Sequence, residues 1–180
     1  EDKVLKVLAN KDALYNADGN PQLLSTNRVL GQSVPFVGEY GISKNPESFA
    51  NYGYRVYFSD KARGAILRLS ADGLTPISDK DMSSYFMTNL SEADDIIGNY
   101  DEHSDSYNIT FNNTTLSFAE KAGGWTSFKS FLPENHISCA NKYFTMLHGK
   151  LYQHDVDTVD RNTFYEDSYR MGPNSTSNFE

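Results

Sequence analysis

The chain has a single cysteine, Cys139, so no internal disulfide can staple it and no cysteine-rich zinc site can form. Long apolar runs are missing as well: no stretch approaches the ~18 consecutive apolar residues of a membrane-spanning helix. Basic charge is in short supply. With 16 Lys and Arg against 24 Asp and Glu, the formal net charge is −8, a balance that repels phosphate backbones and argues against direct nucleic-acid binding. No phosphate-cradling glycine loop, dinucleotide fingerprint, His-Glu-x-x-His or Gly-x-Ser-x-Gly occurs, so the motifs give catalysis no support and call for no cofactor. Neither an initiator Met nor a signal peptide opens the sequence at Glu1, which reads as a processed or internal piece of a longer protein.

What the chain does have is aromatic surface. Its apolar fraction is only 38%, yet 12 Tyr, 11 Phe and one Trp supply enough buriable area to exclude a disordered chain. Turn punctuation is dense and periodic runs are short, which predicts β structure. Asn16 to Asn20, followed by Pro21, is a strong turn signal. Arg28 to Val37 reads as irregular extended chain, and Tyr40 to Tyr52 as a loop. From Tyr54 the pattern sharpens: Tyr54, Val56 and Phe58 alternate with Arg55, Tyr57 and Ser59, predicting a strand with one buried face. Ala65, Leu67 and Leu69 repeat the alternation after a polar loop, giving an antiparallel hairpin.

One helix is predicted near 79–90. Ser78 or Asp79 would cap it, and Met82, Tyr85, Phe86 and Leu90 would form its apolar stripe. Further strands follow at Ile96 to Tyr100, at Tyr107 to Phe111 and at Leu116 to Phe118, with Asn112-Asn113 as a hairpin turn. A last hairpin turns at His148-Gly149. The organisation is thus 1–53 as an extended segment with loops, 54–155 as the β region with its helix, and 156–180 as a polar tail or linker. The pairs Tyr57-Phe58 and Tyr143-Phe144 lie about twice the ~40–45-residue period of a propeller blade apart, pointing to blade-like sheets.

The chemical candidates each carry a plain structural reading. Asp155, Asp157 and Asp160 are spaced as a calcium loop might be, but lack its turn glycine and closing Glu. A solvated acidic loop is the expectation. His148 and His154 flank a turn without a third ligand. His136 lies three residues before Cys139, but nucleophile and base usually come from different segments, so Cys139 is expected to fill a tight strand packing site. Asp94-Asp95 and Asp101-Glu102 could pair carboxylates for glycoside cleavage, though acidic residues around a strand more often protect an edge. Lys61, Arg63 and Arg68 form a basic cluster beside Tyr54 and Tyr57, either a contact for an acidic partner or a soluble hairpin tip. Asn89, Asn108, Asn112, Asn113 and Asn174 begin Asn-x-Ser/Thr triplets, which arise by chance in so polar a chain.

Several separated blocks resemble a known family. They are Asn45 to Ala50, Tyr54 to Ser70, Asp72 to Ser78, and Gly124 to Phe131 with Pro133-Glu134, then the Asn141 to His154 hairpin. In this order they resemble large virion structural proteins of tailed bacteriophages, including marine T-even-like myoviruses and crAss-like phages. The resemblance covers roughly residues 10 to 165. It implies a mainly β protein of antiparallel hairpins in blade-like, propeller-type sheets with one short helix, working in a phage tail or neck by assembly rather than turnover. Partners would be other virion proteins and copies of itself in a symmetric oligomer. On that reading Tyr54, Tyr57, Lys61, Arg63 and Trp125 are the expected interface residues. The alternative is a host-glycan-binding module of a tail fibre or surface protein.

Overall fold

The computed structural model describes residues 3–7, 13–15, 21–23 and 30–158. Two small ribbons come first. Strand β1 (Leu5–Val7) and, later, β4 (Ser33–Pro35) pair with each other, while β2 (Ala13–Tyr15) pairs with β3 (Pro21–Leu23). Three larger antiparallel sheets follow in chain order. The first holds β5 (Ala50–Tyr52), β6 (Arg55–Asp60), β7 (Ala65–Ser70) and β8 (Gly73–Pro76). Helix α1 (Ser83–Glu92) leads to the second, made of β9 (Ile97–Asp101), β10 (Ser106–Phe111), β11 (Thr114–Ala119) and β12 (Gly124–Lys129). The third holds β13 (Asn135–Cys139), β14 (Lys142–Leu147) and β15 (Lys150–Gln153). Every one of the three is an up-and-down meander in which sequence neighbours pair. None closes on itself, so the molecule is mainly β with separate open sheets, and the described residues form no closed propeller.

Local chemistry explains the tight meanders. Asn112-Asn113, Ala140-Asn141 and His148-Gly149 all take positive φ between directly paired strand ends, the backbone of two-residue hairpin turns that match strand twist. The first and third of these turns agree with the sequence pattern. Three expectations need correction. The segment 40–52 is not all loop, because Ala50–Tyr52 forms the first strand of the first sheet, paired with β6 across Gly53-Tyr54. The helix begins at Ser83, not near 79, since Ile77–Asp79 forms a separate 3-10 turn and Asp81 takes φ +63, which interrupts helical backbone. Neither Ser78 nor Asp79 caps it; Met82 precedes it without a side-chain cap. Third, β6 is buried on both faces rather than one.

Two-sided burial follows from layering. Tyr57 and Ile66 of the first sheet meet Tyr100, Tyr107, Ile109, Leu116 and Phe118 of the second, with Phe86 and Leu90 of α1 closing the same core. On the other face of the first sheet, Phe58, Ala65 and Leu67 are covered by Val4, Tyr40 and Ile42. A third, smaller cluster joins Phe131 and Tyr143, with Leu147 and Tyr152 packed against it. Strand β9 packs beside both β5 and β13, so the first strands of consecutive sheets are neighbours.

Two glycines make the close approaches. A side chain at Gly98 would overlap the Ser48 carbonyl and the Tyr107 hydroxyl, the pair that tie the Pro46–Ser48 turn to the second sheet at 2.7 Å. At Gly64, φ is +60 and an added Cβ would lie 2.5 Å from Met87 Cα, so α1 can sit directly on the β6–β7 connection.

Candidate assembly surface

Between the first and second sheets runs a stack of tyrosines. Tyr52 lies on Tyr100 at 4.4 Å between ring centroids, and Tyr57 on Tyr107 at 4.8 Å. Offset stacking of this kind adds to the area each ring removes from water. Glu120 sits at the edge of the stack with its side chain almost fully buried. It accepts from the Tyr57 hydroxyl at 2.5 Å and from Arg68 Nη1 at 2.9 Å, and Arg55 Nε lies 3.7 Å away. Burial first, and then this hydrogen bond to a carboxylate, push the Tyr57 phenol well above its ordinary pKa. Burial likewise raises Tyr107 and Tyr100, the latter also through its bond to Asp105.

The five residues expected at an interface fall into different settings. Tyr54, in the β5–β6 turn, is 97% exposed. Tyr57 is wholly buried and presents no surface. Lys61 is half-buried and donates to the Ala93 carbonyl at the end of α1. Arg63 is held by Asp60, with Nη1 3.0 Å from Oδ2. Asp60 is itself fully buried and also accepts from Gly41 N at 3.0 Å and Ser43 Oγ at 2.8 Å. The Lys61–Arg63 turn is therefore an internally satisfied junction between the β6–β7 connection, the 41–43 segment and α1. Trp125 is half-buried: its indole N–H donates to the Ile77 carbonyl at 3.0 Å, and its ring meets Phe86 and Phe118. Arg68, the third member of the basic cluster, belongs to the Glu120 site.

The second and third sheets meet largely through polar side chains, beside the Phe131–Tyr143 cluster. Asn108, Thr110, Thr115 and Ser117 on the second are all buried. Thr110 and Thr115 share a hydrogen bond at 2.7 Å, and Thr115 donates to the Phe131 carbonyl at 2.6 Å. Opposite them, Glu102 N donates to Ser138 Oγ at 3.2 Å, and Thr145 Oγ1 bonds His154 Nε2 at 2.8 Å. His136 lies on the same face, and neither ring nitrogen has a hydrogen-bond partner among the described residues. Burial, with His154 nearby, pushes the His136 imidazole down to about 3. Burial and Lys129 lower His154 to about 4, with Asp101 opposing.

The other chemical candidates resolve as structure. Register puts His136 and Cys139 on opposite faces of β13, so they cannot act together, and Cys139 is exposed rather than filling a packing site. Asp101 caps its own turn, accepting from His103 N at 2.9 Å and Ser104 Oγ at 2.7 Å. Asp155 lies 3.4 Å from His103, while Asp160 falls outside the described residues, as does most of the 156–180 tail. Among the described residues no group of three His, Cys, Asp or Glu is placed to hold a metal ion, and no helix is long and apolar enough to cross a membrane.

The model of the Crassvirus muzzle protein family matches residues 7–149. The chain belongs to that family. It is accordingly a virion structural protein of a crAss-like phage. No curated protein matches it. The interface expectations overlooked one exposed feature. The outer face of the third sheet carries Ile137, Phe144, Met146 and Leu151, all but Phe144 exposed. Its signal was present in the alternation: Ile137, Phe144 and Met146 share one parity of β13 and β14, opposite to His136, Tyr143, Thr145 and Leu147.

Proposed function

We propose that this muzzle-family chain works in the tail or neck of the phage particle as an assembled structural element, without catalytic turnover, cofactor or direct contact with nucleic acid. Its sheets serve as propeller-type blades. The meander order supports that reading, as do first strands that begin at Ala50, Ile97 and Asn135 and neighbour one another, bracketing the ~40–45-residue blade period. The observation that carries the assembly role is the apolar patch on the third sheet, where Ile137, Met146 and Leu151 are exposed around Phe144. Such contiguous patches mark protein–protein contacts. Copies arranged around the particle axis, together with other virion proteins, would cover it.

Fractionation of purified particles tests this. The chain is expected to co-purify with tail or neck components at fixed stoichiometry through salt and density steps. Recovery only as free protein, or hydrolysis of host envelope polysaccharide by the purified chain, would contradict the reading. Binding to host glycans on an array would favour the receptor-binding alternative.

A further inference from the structure

Both ring nitrogens of His136 are sealed from solvent, and neither meets a hydrogen-bond partner among the described residues. Buried polar groups are normally paired, so an unpaired imidazole calls for a reason. Cross-strand register sets His136 beside Thr145 on the inner face of the third sheet, with Tyr152 next across. Its ring lies 5.9 Å from that of Tyr143. His154 enters the same layer. Its ring centroid is 5.0 Å from Tyr143 and 4.7 Å from Phe131, and its Nε2 is 2.8 Å from Thr145 Oγ1. Two of the four histidines thus share the layer between the second and third sheets, while none lies in the core between the first and second.

The charged groups around this pair are poorly placed to balance a proton. From β9, Asp101 already accepts from His103 N, Ser104 N and Ser104 Oγ of its own turn. Glu102 accepts from Asn141 N at 3.4 Å. From β12 comes another cation, Lys129, whose Nζ lies 5.5 Å from the centre of the Phe131 ring. Lys129 opposes charge on His154, with Asp101 acting the other way, and His154 opposes charge on His136. The Tyr143 and Tyr152 hydroxyls of β14 and β15 are neutral and supply no countercharge. A buried charge without a partner is among the costliest arrangements in a folded chain. Docking of the third sheet and protonation of its imidazoles therefore oppose each other.

We propose that the junction of the second and third sheets is an acid-operated joint: a proton on His136 or His154 releases β13–β15 from the second sheet while the first two sheets stay paired. Return to neutral pH redocks it. The contacts to be undone are few: the Thr115 bond to the Phe131 carbonyl, the Glu102 bond to Ser138, and the small Phe131–Tyr143 cluster. The joint is a property of the chain itself and does not rest on the assembly reading.

Hydrogen exchange of the full chain, followed by mass spectrometry over a pH series and corrected for intrinsic exchange, tests this. An imidazole kept neutral when docked, and titrating at about 6.5 when released, makes opening about eightfold more frequent between about pH 6 and about pH 5. Two such imidazoles make it about fiftyfold. That acceleration is expected in β13–β15 and not in β6, β7, β10 or β11, and it should reverse on return to neutral pH. His136→Phe should leave about an eightfold response, and His136→Phe combined with His154→Gln should abolish it. Melting temperatures at neutral pH check that the variants fold, and His136→Gln is the substitute if Phe overpacks the layer. The wild-type series stands without them. Opening of β13–β15 that is independent of pH, or equal acceleration in the first two sheets, would overturn the proposal. So would a full response retained in the double variant, which would assign the titration to carboxylates instead.

Discussion

The two interlayers of the molecule are built from different chemistry. Between the first and second sheets, stacked Tyr57, Tyr107 and Tyr100 adjoin Phe86, Ile109, Leu116 and Phe118 in an aromatic and aliphatic core. Between the second and third, buried Asn108, Thr110, Thr115, Ser117 and Thr145 adjoin a small Phe131–Tyr143 cluster, beside His136 and His154, whose pKa values burial lowers. Apolar burial is non-directional and robust, whereas a polar layer depends on every hydrogen bond being made. The first pair of sheets therefore forms the stable body. The third sheet is attached through a more polar layer that holds two imidazoles, and it leaves Ile137, Met146 and Leu151 exposed on its outer face.

Four experiments break or sharpen that contrast. The largest effect is expected from Phe86→Ala, which empties the centre of the first interlayer where Tyr85, Phe111 and Trp125 meet. It should cost about 3–5 kcal/mol in chemical denaturation and lower the melting temperature of the whole chain. Next comes Glu120→Gln, which keeps the shape but removes the charge that Arg68 and Arg55 face; a loss of about 1.5–3 kcal/mol is expected. Third is pH. His136 and His154 have folded pKa values of about 3 and about 4, below the ordinary 6.5, so the unfolded chain binds protons that the folded chain refuses. Their contribution is fully present above 6.5 and is lost progressively as pH falls toward 4. Between about pH 7.5 and about pH 6 the loss should be roughly 1–2 kcal/mol, and hydrogen exchange should quicken in β13–β15 before β6 and β7. Equal acceleration in all three sheets would erase the contrast. The smallest effect is Tyr54→Ser, which removes an exposed ring and should change stability by less than about 0.5 kcal/mol.

Much of the fold was legible because turn chemistry is local. The paired β6 and β7 strands and the turns at Asn112-Asn113 and His148-Gly149 follow from residues that tolerate positive φ between alternating segments. What was not legible depends on neighbours distant in sequence. Alternation at 54–59 cannot distinguish a strand buried on one face from one buried on two, so Tyr57 read as surface although it lies at the centre of the tyrosine stack. Strand β12 escaped notice because Gly124 to Lys129 carries little alternation; Trp125 and Phe128 face the same core across a register shift opposite Ser117 and Phe118. Lys61 and Arg63 looked like free cations because the Ala93 carbonyl and buried Asp60 that hold them lie in a helix end and a strand end.

An electron-microscopy map of the intact particle is the most direct measurement. The account predicts this chain at fixed copy number around the tail or neck axis, with Ile137, Met146 and Leu151 buried against a neighbouring subunit. A map that placed those side chains in solvent, or that held no density for the chain at all, would contradict it.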